Sequence, residues 1–305
     1  MKKAIFTSLI SASLLFASCD YVSNPYPEKN ANISDTATCL TVSFPVVTSH
    51  IKKLLIEDYT GHTCPNCPRA ARALDTFQTQ HPGRVIILSV HAGNDFAAPS
   101  PGFEGTTPND FTEDFRTTVS NTYDAFFKCS TSGLPILLEN RKDYNSVDLT
   151  HLKRYFNLTT DAIPYLAESS SVDLQINLNY DATSRKVCCA IRDSFLTAVN
   201  GNFKMAVLLI QDSLVAFQKD LDHGLVPNYV FNNMLRDAIT PTGAWGETLV
   251  TGGAVSGLTQ IRHFAYTLPD SFNNITCVPK NCKIVAFIYN TATWEIIQAE
   301  EASIP

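Results

Sequence analysis

Residues 53–81 read KLLIEDYTGHTCPNCPRAARALDTFQTQH, and this stretch sets the reading of the whole chain. Its first six residues form a short apolar run of the kind expected in a strand, and a turn containing Gly61 carries Cys64 and Cys67. From residue 68 onward Ala71, Leu74 and Phe77 recur at helical spacing, and Pro82-Gly83 ends the pattern. A Cys-x-x-Cys between a strand and a helix is the setting of a dithiol redox centre. A cysteine at a helix N-terminus meets free N–H groups and the positive end of the dipole, which favours thiolate. The second cysteine lies one turn further in, where it can resolve a mixed disulfide.

Outward from this motif, residues 85–91 (VIILSVH) are a continuous apolar run, expected to be a strand buried on both faces. A Pro/Gly-rich excursion covers 94–109, a helix is expected around 111–127, a strand at 134–138 and a helix at 148–156. After Ser171 the texture changes. Residues 172–179 alternate with period two, and strands are expected at 186–191, 203–210, 259–268, 283–289 and 295–299, with scarcely any helix between them. Such a succession reads as an antiparallel β-sandwich of immunoglobulin-like class, with the boundary at 168–171.

The chain has 305 residues, 45% hydrophobic and 17% charged, which excludes a wholly disordered or collagen-like protein. It opens with Lys2-Lys3 and a short apolar run to Phe16, the pattern of a secretory signal too short to span a bilayer. The run closes on Phe16-Ala17-Ser18-Cys19, which resembles a bacterial lipobox and marks Cys19 as a lipidation site. Removal of residues 1–18 takes away two lysines and no acid, changing the net charge from −6 to −8. An acidic chain with scattered Lys and Arg excludes nucleic acid as the expected partner. Residues 20–38, rich in Asn, Ser, Pro and Asp, read as a spacer. The organisation expected is therefore a signal peptide over 1–18, a lipidated tether over 19–45, an α/β domain over 46–169 and a β-sandwich over 170–305.

Two resemblances add to this. Asp58 lies six residues before Cys64 at the end of its strand, and Gly133-Leu134-Pro135 precedes a downstream strand. Together with the CxxC these make residues 54–140 resemble the thioredoxin fold, in which such an acid is buried and such a proline is cis and faces the cysteines. Thr63 departs from the aromatic usual before the first cysteine, and Asn66 departs from the common interiors. Over nearly the whole mature chain, residues 58–68 (DYTGHTCPNCP), Gln218 and residues 228–236 (NYVFNNMLR) resemble the outer membrane protein 28 family of bacterial surface lipoproteins. That resemblance implies a thioredoxin-like domain followed by a β-rich domain, at the outer membrane or cell surface. Where family members often carry histidines, this chain has Phe231 and Asn233, so metal ligation by those imidazoles is not expected.

With Cys19 assigned to lipid, eight cysteines remain, an even number in an exported chain. Cys64 and Cys67 are one expected pair, and Cys277 and Cys282, flanking a turn-like VPKN, are candidates for a structural loop bridge. Cys188 and Cys189, adjacent in a strand, point to opposite faces, and one of them can pair at a distance. The connectivity of Cys39, Cys129, Cys188 and Cys189 stays open. No cofactor or metal is expected: the strand–helix setting explains the CxxC better than zinc ligation does. His62 is expected to be a solvated turn residue, His91 a satisfied core group, Trp245 and Trp294 packing residues of the β-domain, and Asp220-Leu221-Asp222 a solvated loop.

Two functions fit. In the first the protein is a thiol–disulfide oxidoreductase acting on protein thiols or disulfides through an exposed CxxC. Cys64 then attacks, Cys67 resolves, Asp58 assists proton transfer and Pro135 guides the substrate strand. In the second it is a surface binding or adhesion lipoprotein that retains the same domain as a non-catalytic scaffold.

Overall fold

The computed structural model describes residues 36, 39, 43–100, 107 and 110–305. Cys19 and the signal-like segment lie outside the described residues. The first elements are β1 (Leu54–Thr60), α1 (Cys67–Gln80), β2 (Val85–His91), α2 (Thr118–Phe127), β3 (Ile136–Glu139) and α3 (Leu158–Leu166). Strands β4 (Val172–Asp181), β5 (Lys186–Phe195), β6 (Phe203–Gln211), β7 (Leu214–Asp220) and β8 (Gly224–Phe231) follow. The chain ends with β9 (Met234–Ala238), β10 (Glu247–Val250), β11 (Thr259–Thr267), β12 (Ser271–Phe272), β13 (Ile275–Thr276), β14 (Cys282–Asn290) and β15 (Ile296–Ser303). No helix among the described residues is long and apolar enough to cross a membrane.

The large sheet has the order β15-β14-β6-β9-β2-β1-β3, with β10 added on β6. β1 and β2 are parallel, as a connection through α1 requires, and β3 is antiparallel to β1. The boundary expected near residue 170 falls between α3 and β4, yet hydrogen bonding continues across it, because β2 meets β9 at the Ser89–Met234 pair. The two parts of the chain thus share one sheet.

Period-two alternation explains how that sheet buries both faces. In β6, Phe203, Met205, Val207 and Leu209 pack toward the three-stranded sheet β11-β5-β4, while Ala206, Leu208 and Ile210 pack toward Tyr59, Val90 and α2. On the opposite side of β1 and β2, Leu54, Ile56, Val85 and Ile87 pack against Leu74 and Phe77 of α1 and Leu158 and Ala162 of α3. The strand run 85–91 is as expected.

Two helices differ from expectation. α2 begins only at Thr118, where Thr117 and Ser120 form a reciprocal capping box; Phe111 adopts φ 59°, which a helix excludes. The helix expected at 148–156 is displaced to α3, since Leu149 has φ 53° and Lys153 pairs in extended form with Leu137.

A buried ion pair pins the layers together. Arg141 donates to Glu57 through Nε (2.7 Å) and Nη2 (2.6 Å), and its guanidinium lies 4.5 Å from the Tyr123 ring and 5.0 Å from the Phe287 ring. Residues from β1, α2 and β14 meet at this one cation.

Candidate functional site

The loop from β1 to α1 places Cys64 three residues before the helix and Cys67 at its first position, so Cys67 opens α1 rather than lying one turn inside it as expected. Pro68 occupies the first turn, where its missing N–H costs no helical bond. Cys64 and Cys67 are disulfide-bonded, with Cα atoms 5.4 Å apart. A Cβ on Gly61 would lie 2.4 Å from the Phe96 carbonyl oxygen, so only glycine lets the loop at 94–98 close against this turn. Thr63 seals the contact by donating to that same carbonyl from N and Oγ1, each at 3.1 Å.

His62 is not the solvated turn residue expected. It is buried, its Nε2–H donates to the Ala98 carbonyl (3.1 Å), and burial above all pulls its pKa down to about 4. Nothing local in the sequence marks this, because the covering residues come from 94–98 and from Phe111 and Phe115.

Asp58 is buried beneath the CxxC, beside a small cavity of about 50 Å³ lined also by Thr60, Cys67, Asp75, His91 and Tyr229. Its Oδ1 has no partner among the described residues, and burial, reinforced by the Asp75 carboxylate, pushes its pKa up to about 7. His91 was expected to be a satisfied core group; instead neither ring nitrogen has a hydrogen-bond partner among the described residues. Its ring packs edge-on to Phe115 (5.3 Å) and Phe231 (5.5 Å), and burial, then the His62 and Arg236 charges, hold it well below its usual pKa. Pro135 is buried behind a cis Leu134–Pro135 bond, one register step beyond the Tyr59–Ile136 pair and so beside Thr60.

The hairpin β7–β8, a two-stranded sheet of its own among the described strands, lies across the CxxC turn. The Lys219 amide donates to the His62 carbonyl (2.9 Å), the Leu221 amide to the Pro65 carbonyl (2.8 Å) and Gln218 Nε2 to the Cys64 carbonyl (3.1 Å). Cys64 is consequently 1% exposed, so the CxxC is not the open site expected. An ionic clasp fastens the hairpin to α1. Arg72 donates to Asp220 (2.7 Å) and Asp222 (2.6 Å), Arg69 donates to Asp222 (3.0 Å), and His223 donates to Asp220 (3.0 Å). Burial raises the Asp220 pKa, but Arg72, the Asp222 amide and His223 outweigh it and hold the carboxyl down to about 2. The segment expected as a solvated loop is therefore a latch.

Elsewhere, Cys39 is disulfide-bonded to Cys188, fastening the N-terminal segment to β5, while Cys189 points to the other face as a buried thiol. Cys129 is also a buried free thiol. Cys277 and Cys282, expected to be a loop bridge, are both thiols, their Sγ atoms in contact at 3.8 Å rather than bonded. Trp245 and Trp294 do pack, with ring centroids 5.0 Å apart, though against Phe126 of α2 as well as against the β-rich part.

A family model described as outer membrane protein Omp28 matches residues 120–305. No curated protein matches the chain. Among solved structures, HBP35 of Porphyromonas gingivalis is similar at TM-score 0.59 and 14% identity, covering 84% of this chain and 76% of that one, which shows a shared mixed α/β fold. A domain of the outer membrane lipoprotein Omp28 from the same organism aligns over 44% of this chain and 88% of its own, at 18% identity and TM-score 0.32. A protein of Agrobacterium tumefaciens aligns over 85% of this chain and 97% of its own, at 16% identity and TM-score 0.44.

Proposed function

The chain belongs to the outer membrane protein Omp28 family, and from that premise we propose that it is an exported lipoprotein carrying a covered thiol–disulfide exchange centre. In this reading Cys19 bears the lipid, residues 46–169 form a thioredoxin-like unit, and residues 170–305 form a β-rich part that extends the sheet of that unit and stacks the sheet β11-β5-β4 upon it. The carrying observation is Asp58, a buried carboxyl with an unpartnered oxygen, beside a cavity shared with Cys67 and titrating at about 7. A disulfide kept only for stability has no use for such a group, and a resolving cysteine does.

In the reduced protein the Cys64 thiolate attacks one sulfur of a protein disulfide and expels the other as thiolate. Cys67 then passes its proton to Asp58 and attacks the Cys64 sulfur. This releases the second substrate thiol and leaves Cys64–Cys67 oxidised and the substrate reduced by two electrons. Pro135, beside the end of β1, would line the substrate strand. Because Lys219 and Leu221 already donate to the carbonyls flanking Cys64, the hairpin must lift before a substrate strand can occupy that edge.

A second reading, a surface binding protein with an inert scaffold, draws on the 1% exposure of Cys64. Insulin reduction by wild type, Cys64→Ser and a variant with the clasp opened separates the two. The exchange reading expects activity that Cys64→Ser abolishes and the opened clasp raises. The scaffold reading expects none in any of the three.

A further inference from the structure

The CxxC leaves a second pair of sulfur nucleophiles unused. Cys277 follows β13 and Cys282 opens β14, and the turn between them brings both sulfurs inward to 3.8 Å, each side chain buried. Cys282 has an acceptor for its proton in the Val278 carbonyl (3.4 Å).

Two arginines face this pair. Arg185 donates through Nη2 to the Cys277 carbonyl (3.0 Å) and lies 3.6 Å from the exposed Asp270. Arg236 is buried at 2% exposure; its Nη2 donates to the Phe272 carbonyl (3.2 Å), while Nε and Nη1 have no partner among the described residues. The neighbouring Asp237 carboxylate accepts from Tyr266 (2.6 Å). A buried guanidinium with unpaired N–H groups is costly, and the groups whose negative charge would act on Arg236 most strongly are Cys277 and Cys282, ahead of Asp237. The Cys282 hydrogen bond, then the Arg185 and Arg236 charges, lower the Cys277 pKa against the opposing effect of burial. A thiolate on Cys277 would be the strongest negative charge acting on Arg236.

We infer that Cys277 and Cys282 form a second, exchange-active dithiol, with Cys277 as nucleophile, Arg236 as its positioning cation and a low-molecular-weight disulfide as its co-substrate. A small co-substrate is required because both sulfurs are buried, and Arg236 also lines a cleft of about 600 Å³ together with Pro269, Ser271 and Phe272. The Cys277 thiolate attacks one sulfur of the disulfide and expels a small thiolate. The Cys282 thiol then loses its proton and attacks the Cys277 sulfur, expelling the second. One intramolecular bond forms, one small disulfide is cleaved, and two small thiols leave with the electrons.

The test is independent of any reading of Cys64 and Cys67, because peptide mapping reports each cysteine separately. The full chain is reduced, exposed to glutathione disulfide at pH 7 and mapped with time, alongside Cys282→Ser, Arg236→Gln and Arg236→Lys. The expected result is a Cys277–Cys282 bond in wild type and a glutathione adduct trapped on Cys277 in Cys282→Ser. Reaction should slow about tenfold in Arg236→Gln, as for a thiol one pKa unit weaker in acidity, with partial rescue in Arg236→Lys. Native wild type that leaves Cys277 unmodified, or modifies Cys282 first, overturns the proposal without recourse to any variant. A rate unchanged in folded Arg236→Gln overturns the role of Arg236. A Cys277–Cys282 bond that, once formed, excess reduced glutathione does not reopen would make the pair a plain structural bridge and overturn the exchange role.

Discussion

The backbone amide of Lys219 donates a 2.9 Å hydrogen bond to the carbonyl of His62, two residues ahead of Cys64. That one bond joins the hairpin β7–β8 to the loop carrying the CxxC, across more than half the chain. With the Leu221–Pro65 bond it forms a short edge pairing, of the kind by which an extended peptide adds to an exposed strand. The site is thus shut by main-chain bonds and by an ionic clasp that is partly open to water.

Opening the clasp should therefore expose the disulfide. Arg72→Ala with Asp220→Asn removes the 2.7 Å pair without leaving a buried charge unmatched. Since the Arg72 side chain is 43% exposed, solvent screens the pair, and the gain in reduction rate of Cys64–Cys67 by dithiothreitol should be modest, about two- to fivefold. Stopped alkylation with peptide mapping measures it.

Asp58 should give the protein a distinctive pH dependence. Its pKa rises from 3.8 to about 7 on folding, so the folded chain holds a proton that the unfolded chain has lost between those values. The stability it contributes is full below about pH 4, declines as pH rises and is gone above about 7, a change on the order of 4 kcal/mol. Urea titrations of oxidised Asp58→Asn from acid to pH 8 should lack this decline. In the exchange reading the same variant should also prolong the mixed disulfide at Cys64 roughly a hundredfold.

Glu57→Gln should cost about 3–5 kcal/mol, because Arg141 would remain buried among Tyr123, Phe127, Phe287 and Tyr289 without its counter-ion. Unfolding should remain a single transition, since β1 and β14 meet on this cation and share one sheet. Far-UV circular dichroism on denaturation checks both statements.

Cys19→Ser should move the protein from the membrane fraction to the soluble one, as the lipobox-like site requires. Fractionation with an intact outer membrane is the measurement. Retention of the variant in the membrane fraction would remove the lipid anchor from the account.

The elements around Cys64 were legible because their signals are local and strong: an apolar run before the turn, a paired cysteine spacing and helical recurrence after it. β6 was legible as a strand, but its unbroken run of apolar residues, 205–210, also carried the sign of burial on both faces. That sign points to a strand inside a shared sheet rather than to one face of a separate sandwich. The cover was not legible. β8 (GLVPNYVF) is largely exposed, so its residues carry no steady alternation, and β9 is only five residues long. The acidic pair at 220 and 222 reads as a loop until Arg69 and Arg72 are brought across from α1. His62 and His91 likewise depend on residues far along the chain for their burial.

The most direct test of the account is the pH dependence of alkylation at each cysteine of the reduced protein, in wild type and in the clasp-opened variant. In the reduced protein the Cys64 thiol, in the turn that runs into the N-terminus of α1, should be more acidic than an ordinary thiol. The account predicts that Cys64 reacts ahead of Cys67 at each pH, that opening the clasp speeds Cys64 alone, and that insulin is reduced in step. Equal rates at the two cysteines at every pH, with no insulin reduction even when the clasp is open, would contradict it and leave the CxxC as a structural bond in a binding protein.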